Sequence, residues 1–464
     1  MMTSKLLTGL SFLALSACAV GPDYRSPAPA APAQTPFSAA QSPTFTGDEP
    51  AGKWWSLYGN PTLDSLVEQA LTANTDLRVA AANLARSRAV LREARTGRLP
   101  STDLSASASY ARTPGNGEGP IEGEIYDVGL DVGYQVDLFG RISRAIEAGR
   151  ADVDAVQAAY DFTRITVAAE TTRAYADACS AGQQLAVARR TVSLQEETFD
   201  LTRRLFEGGR ATGLDTAQAG SLLEQTRAAI PTLEAARRTA LYRLAVLTGR
   251  PPAEFPAEVA SCETPPVLTS PIPVGNGATL LARRPDIRAA ERRLAAATAR
   301  VGVATADLYP SISIGGSIGS TATSIGDIAS SSAFRFGIGP LISWSFPNIA
   351  AAKTRVAQAE ASAEGALAEF DGTWLNALRE TESALTLYAN ELDRVATLRR
   401  ARDNGAEAAR IARLRYQAGR ESFQIVLDAE RQLAQTEALL AQSEAQLSTN
   451  QIALFLALGG GWES

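Results

Sequence analysis

Residues 283–319 read RRPDIRAAERRLAAATARVGVATADLYPSISIGGSIG, and their reading turns on Pro310. Up to Leu308 the stretch is Ala-rich, with apolar residues at helical spacing. Beyond Pro310 the period drops to two, with Ile312, Ile314 and Ile318 set against Ser311, Ser313, Gly315 and Ser317. Proline lacks an N–H and disfavours helical geometry in the residue before it, so it closes a helix where a strand can start. The same switch occurs 210 residues earlier, at Pro100, where AANLARSRAVLREARTGRLP (81–100) gives way to STDLSASASYAR (101–112).

An offset of 210 also maps Leu71 onto Leu281, Asp76 onto Asp286, Arg78 onto Arg288 and Leu84 onto Leu294. Further along it maps Phe206 onto Tyr416, Gly209-Arg210 onto Gly419-Arg420, Gln225-Thr226 onto Gln435-Thr436 and Gly249 onto Gly459. A period this long is not that of a solenoid. It implies a duplicated helix–β-hairpin–helix–helix unit, with copies at residues 53–260 and 261–464.

Each copy carries two strand patterns, expected at 101–112, 124–139, 311–321 and 333–346. In the second, Val128, Leu130, Val132, Tyr134, Val136 and Leu138 share one face; Gly129, Asp131, Gly133, Gln135 and Asp137 share the other. In the fourth, Phe334, Phe336, Ile338, Ile342, Trp344 and Phe346 oppose Arg335, Gly337, Gly339, Ser343 and Ser345. Aromatics gather towards the strand ends. A membrane barrel has this pattern, apolar towards lipid and polar towards a wet lumen. No run after the N-terminal segment is long and apolar enough for a spanning helix, so a membrane-spanning chain of this kind needs a barrel.

The helical pattern of 140–207 has no proline and would extend roughly 100 Å, too long for one globular core. Its alanines allow close helix approach. The stretch EGGRATG (207–213) ends it, and a return helix to Leu247 is expected to kink or break at Pro231. A Pro-rich connection (254–277) joins the halves. The second copy repeats the order, with its turn at AGRE (418–421).

Net charge is −6 and no basic cluster exists, which excludes a nucleic-acid partner. The chain has no histidine, three cysteines and two methionines. Histidine bases, triads and metal sites are therefore excluded, and no ATP-binding loop or proton relay is read. No catalysis and no cofactor are implied.

Residues 1–17 have the form of a signal peptide, with Lys5 before an apolar Leu6–Leu15. They end in Leu15-Ser16-Ala17-Cys18, which resembles the lipobox of bacterial lipoproteins. That resemblance implies acylation of Cys18, and Ala19 in place of Asp implies the outer membrane rather than inner-membrane retention. Residues 18–52 read as an acylated Pro-rich linker without a core of its own. Lys53-Trp54-Trp55-Ser56-Leu57-Tyr58 reads as a hydrophobic anchor.

The 283–319 stretch, VDLFGR (136–141), the two Gly-Arg turns and the terminal ALGGGW (457–462) together resemble the outer-membrane factor family. Within it, they are closest in kind to the NodT-type, OprM-like lipoproteins of tripartite efflux pumps. The resemblance implies an α+β membrane protein, a homotrimer in which each protomer gives four strands to one twelve-stranded barrel continued by a long periplasmic helical tunnel. It implies a passive exit duct for small molecules, joined by a periplasmic membrane-fusion (adaptor) protein to an inner-membrane RND transporter. Four strands are too few to close a barrel alone, so association is required on physical grounds.

On the family pattern the two helical turns form the periplasmic tip, where the aperture closes and the adaptor docks. Their residues are Gly208, Gly209, Arg210, Thr212 and Gly213, with Gly419, Arg420, Glu421 and Ser422. With Cys18 taken by lipid, Cys179 and Cys262 remain as an even pair in an oxidising compartment, either bridged or two buried thiols. Asp131 and Asp137 would face the barrel lumen and favour cations. A coiled-coil scaffold lipoprotein accounts for the helices but not for four matched strands, and a glycan hydrolase would need a paired-carboxylate cleft, which this sequence does not single out. Export of metal ions or type I protein secretion is the alternative within the channel class.

Overall fold

The computed structural model describes residues 19–27, 37–48, 52–113, 121–268, 270–277, 283–347 and 349–460. It divides into two compact units, and each draws on both halves of the duplication. One comprises the residues up to Pro27, Asn83–Gln157 and Arg288–Gly372; the other comprises Ala28–Ala82, Ala158–Ile287 and Thr373–Ser464.

In chain order the main elements are α1 (Pro61–Ala73), α2 (Thr75–Thr96), β1 (Ser101–Thr113), β2 (Ile121–Val136), α3 (Arg141–Glu207), α4 (Gly213–Arg227) and α5 (Ala229–Leu247). The second half supplies α6 (Pro285–Ala306), β3 (Ser311–Ala322), β4 (Phe334–Ser343), α7 (Ala350–Gln417) and α8 (Phe423–Ala457). The helical segment that ends before Pro100 is split at Asn74, whose extended backbone leaves the helix. Its Oδ1 accepts from Asp76 N–H (2.8 Å) and Leu77 N–H (3.3 Å), capping α2. The return helix breaks at Ala228 because Pro231, in the first turn of α5, has no N–H for the Arg227 carbonyl.

The first unit contains the sheet, an antiparallel meander in the order β1-β2-β3-β4. Its register places Leu104, Leu130, Ile318 and Phe336 in one row, and Asp103, Asp131, Ser317 and Gly337 in the next. Alternation therefore runs coherently across all four strands, and a one-residue slip would invert it.

The second unit has the larger apolar core. Trp54 and Trp55 lie in it, and Trp54 stacks on Phe455 at 4.8 Å, which gives the 53–58 cluster the anchoring role expected of it. The leader is more than a linker here. Phe37 and Phe45 are buried in that core, Phe45–Thr46 pairs in parallel with Ile272–Pro273, and Glu382 accepts from the Ser38 and Ala39 N–H groups at 2.8 and 3.2 Å.

The duplication shows in hydrogen bonds as well as in sequence. Asn74 Nδ2 donates to the Leu247 carbonyl at the end of α5 (3.1 Å), and Arg284 Nη1 donates to the Ala457 carbonyl at the end of α8 (3.1 Å). Gly249 and Gly459 follow with φ of +74° and +67°. All three pairs are related by the offset of 210. Arg284 also binds Asp286 (2.6 Å) and Glu380 (3.0 Å), so the RRPDI motif is a clamp on three helices.

Candidate functional site

Among the described residues, the outward rows of the sheet are left largely uncovered. Leu104 is 76% exposed, Phe336 77% and Ile338 83%, and Val128, Leu130 and Val132 are also exposed. In water, such a continuous apolar face would mark an interaction surface. Here it spans four strands of 10 to 16 residues, the length a tilted strand needs to cross a bilayer. At its helix-side end Phe139 stacks on Tyr309 (4.6 Å) and Trp344 on Phe346 (4.7 Å), as in an interfacial aromatic girdle.

The opposite face is polar. Asp131 lies on it and faces Asp103 in register across β1–β2. Arg335 of β4 reaches over Gly319 to hold Asp127 of β2 with Nη2 at 2.9 Å from both carboxylate oxygens, and Thr321 Oγ1 donates to Asp127 at 2.6 Å. A Cβ on Gly319 would lie 2.6 Å from the Val128 carbonyl oxygen and 3.2 Å from Arg335 Cζ, so glycine lets the guanidinium lie along the wall.

Asp137 departs from expectation. β2 ends at Val136, and the Asp137 carboxylate accepts from Ile142 N–H (2.8 Å), Ser143 N–H (2.8 Å) and Ser143 Oγ (2.6 Å). It caps α3 just past the strand end and does not stand free on the polar face. The unpaired N–H groups of a helix's first turn compete for a nearby carboxylate, and Asp137 is within their reach. Leu138, Trp344 and Phe346 likewise lie past the strand ends.

The two helical turns are built alike. Gly209 and Gly419 have φ of +68° and +69°, a left-handed conformation that Cβ-bearing residues rarely adopt. Arg210 N–H bonds the Leu205 carbonyl (2.7 Å), and Arg420 N–H bonds the Arg415 carbonyl (2.9 Å). Thr212 and Asp215 form a capping box that starts α4, with Gly213 its first residue. Gly208 closes α3 through its N–H to the Arg204 carbonyl (3.1 Å). Glu421 approaches Arg415 at 3.8 Å, and Ser422 precedes α8. The structure thus makes both turns helix-closing glycine motifs carrying exposed arginines.

Near these turns lies a group that sequence reading did not find. Glu430 of α8 is 2% exposed, accepts from Arg413 of α7 (2.8 Å) and receives the Thr198 hydroxyl of α3 (2.9 Å). Its spacing resembles that of any glutamate on a helix, so only packing reveals it. Cys179 and Cys262 are bridged, with Cα atoms 4.8 Å apart. A Cβ on Gly182 would lie 2.0 Å from the Cys262 carbonyl oxygen, so glycine is needed where the connector crosses α3. Cys18 and the signal segment lie outside the described residues, as do most of the 113–123 loop, Gly461 and Trp462.

A sheet edge that cannot close alone, an unpartnered apolar belt and helices of 67 and 68 residues define a class: outer-membrane channels whose shared barrel continues into a helical duct. The comparisons agree with that class. Residues 66–250 and 277–460 each match the family model for outer membrane efflux proteins, one match per repeat, and the chain belongs to that family. It is 31% identical to Nodulation protein T of Rhizobium leguminosarum bv. trifolii over 97% of this chain and 96% of that one. It is 30% identical to the probable efflux pump outer membrane protein TtgC of Pseudomonas putida over 99% and 96%. Among solved structures the outer-membrane channel OprN matches with a TM-score of 0.89 at 37% identity, covering 96% of this chain and all of that one. CusC matches with a TM-score of 0.83 at 26% identity, covering 96% of this chain and 100% of that one. The fold is that of the trimeric outer-membrane efflux channels, four strands per protomer, and the protein is an outer-membrane efflux component.

Proposed function

We propose that three copies of this chain form a passive exit duct for small toxic compounds, drugs or solvents. It works with a periplasmic adaptor and an inner-membrane RND transporter. The observation that carries this reading is the exposed apolar face, whose strand lengths and aromatic rim suit a lipid bilayer. The relatives favour small molecules: several are named as antibiotic, toluene or solvent efflux components. The chain is a conduit and not a catalyst. Residues 1–17 are removed, Cys18 is acylated, and the repeats run over 53–260 and 261–464.

Gly208, Gly209, Arg210, Thr212, Gly213, Gly419, Arg420, Glu421 and Ser422 form the periplasmic tip that docks the adaptor and closes the aperture. An arginine-bearing turn can form ion pairs with a neighbouring protomer. Asp131, with Asp103 facing it, lends the lumen a negative row that favours cations. Asp137 adds to that charge at the barrel's base while its carboxylate caps α3.

Two experiments test the reading. A strain lacking this chain should gain susceptibility to several unrelated drugs or solvents, and unchanged susceptibility to all would count against efflux. In planar bilayers, Arg420→Ala or Glu421→Ala should raise closed-state conductance, and unchanged conductance in both would remove the aperture assignment.

A further inference from the structure

Residues 19–27 belong to the same compact unit as the sheet and lie in a built slot. Val20 N–H donates to the Phe139 carbonyl (3.3 Å). Arg144, in the first turn of α3, has a side chain only 7% exposed. Its Nε donates to the Val20 carbonyl (3.3 Å), and its Nη2 donates to the Gly21 carbonyl (3.4 Å) and Asp23 Oδ1 (2.7 Å). Its Nη1 is held by Glu147 (2.9 Å). One guanidinium thus reads two backbone carbonyls and a carboxylate of the strap.

Glycines make the room. Gly21 has φ +92°, and a Cβ there would lie 2.4 Å from Gly302 Cα; a Cβ on Gly302 would lie 2.9 Å from Arg144 Cγ and Cδ. A Cβ on Gly140, φ +77°, would meet Ala19 at 2.8 Å. Further along, Tyr24 Oη (3.0 Å) and Ser26 Oγ (2.8 Å) donate to Glu291, and Tyr24 packs on Ala151, Ala295 and Ala296. A free tether would leave this backbone to water. Phe139, to which Val20 is bonded, stacks on Tyr309 at the helix-side end of the sheet.

We infer that this slot docks the acyl-bearing N-terminus, and that Arg144 is the positioning residue fixing where a lipid on Cys18 enters the membrane, beside the helix-side rim of the apolar belt. The inference rests on the reading of Cys18 as acylated. The slot makes the leader part of the barrel's base and the lipid a registered neighbour of the belt.

The test uses isolated outer membranes from cells fed labelled palmitate and expressing the full chain. Arg25 and Ser26 are exposed, but Tyr24 and Ser26 are tied to Glu291. Trypsin must draw the flanking chain into its cleft, so it should cut the Arg25–Ser26 bond faster once the strap leaves its slot. Label remaining on the protein band and the peptide cut at Arg25, read by mass spectrometry, are followed in time. Wild type should keep its label. Arg144→Ala and Gly302→Ala should lose it at least about tenfold faster, and Arg144→Lys, which keeps the charge but not the fork, should fall between. Asp23→Ala, a change on the strap alone, should also speed cleavage, and heat-modifiable migration of the trimer controls for assembly. Equal cleavage of wild type and assembled variants, or rapid cleavage of wild type, overturns the inference while leaving acylation intact. Absence of palmitate from wild type overturns the acylation reading, and the lipid-docking role falls with it.

Discussion

Breaking the Cys179–Cys262 bridge should cost the protein most of its margin against unfolding, and the size follows from the chain path. The bridge closes a loop with a sequence separation of 83, from the middle of α3 through α4 and α5 into the connector. Closing a loop of that length removes about 15 cal/mol/K from the unfolded chain, or about 4.5 kcal/mol at 25 °C. That corresponds to a factor of about 2,000 in the unfolding equilibrium. Cys179 is fully buried in the core that also holds Trp54 and Trp55, so tryptophan fluorescence reports the part of the chain the bridge restrains. Detergent-purified trimer is unfolded in guanidinium with and without reductant, alongside the Cys179→Ala/Cys262→Ala pair. The reduced protein and the double variant should unfold at matching, markedly lower denaturant concentrations. Thiol titration of the denatured, unreduced protein should find neither cysteine free. Two free thiols, or superimposable curves with and without reductant, would refute the reasoning.

Other changes test separate parts of the structure. Arg284→Ala leaves the Ala457 carbonyl, Asp286 and Glu380 without their shared partner and should destabilise by about 3 kcal/mol, read as a lower thermal midpoint. Glu430→Ala strands Arg413 between helices and should cost about 3 kcal/mol, with faster hydrogen exchange near the turns; normal exchange there would remove it as a fastener. Ile338→Arg places a charge on the most exposed belt residue, at a cost of about 2–4 kcal/mol per chain in lipid, and should abolish heat-modifiable trimer. Burial holds the Asp177 carboxyl above its usual range, against the opposing pull of Arg243. Its stabilising contribution is therefore present below the unfolded pKa and lost as pH rises through the folded one. Asp177→Asn should compare better with wild type at pH 7 than at pH 4, despite losing the 2.7 Å ion pair; the reverse order would contradict the assignment.

The sequence by itself determined the architecture. Pro100 and Pro310 set the helix-to-strand switches, period-two alternation set the faces of four strands, and the offset of 210 set the repeat, all properties of local chain order. Local order also misled at the ends. Asp137 continues the alternation of β2, yet the first turn of α3 takes its carboxylate, a competition visible only once both elements exist. Asn74 breaks the helical run before Pro100 because its Oδ1 caps α2 and its Nδ2 holds the Leu247 carbonyl, and the second partner lies far away in the chain. The tertiary structure alone decided the contacts between residues far apart in the chain. Arg144 of α3 holding the strap, Arg284 across three helices and Glu430 beneath the turns carry no periodic signal, and alternation puts Asp103 and Asp131 on the polar face without showing that they meet. Each is defined by a partner that only packing or strand register brings near. The exposed belt joins the two levels: its pattern is written along each strand, but only pairing all four into one sheet left that face without a protein partner.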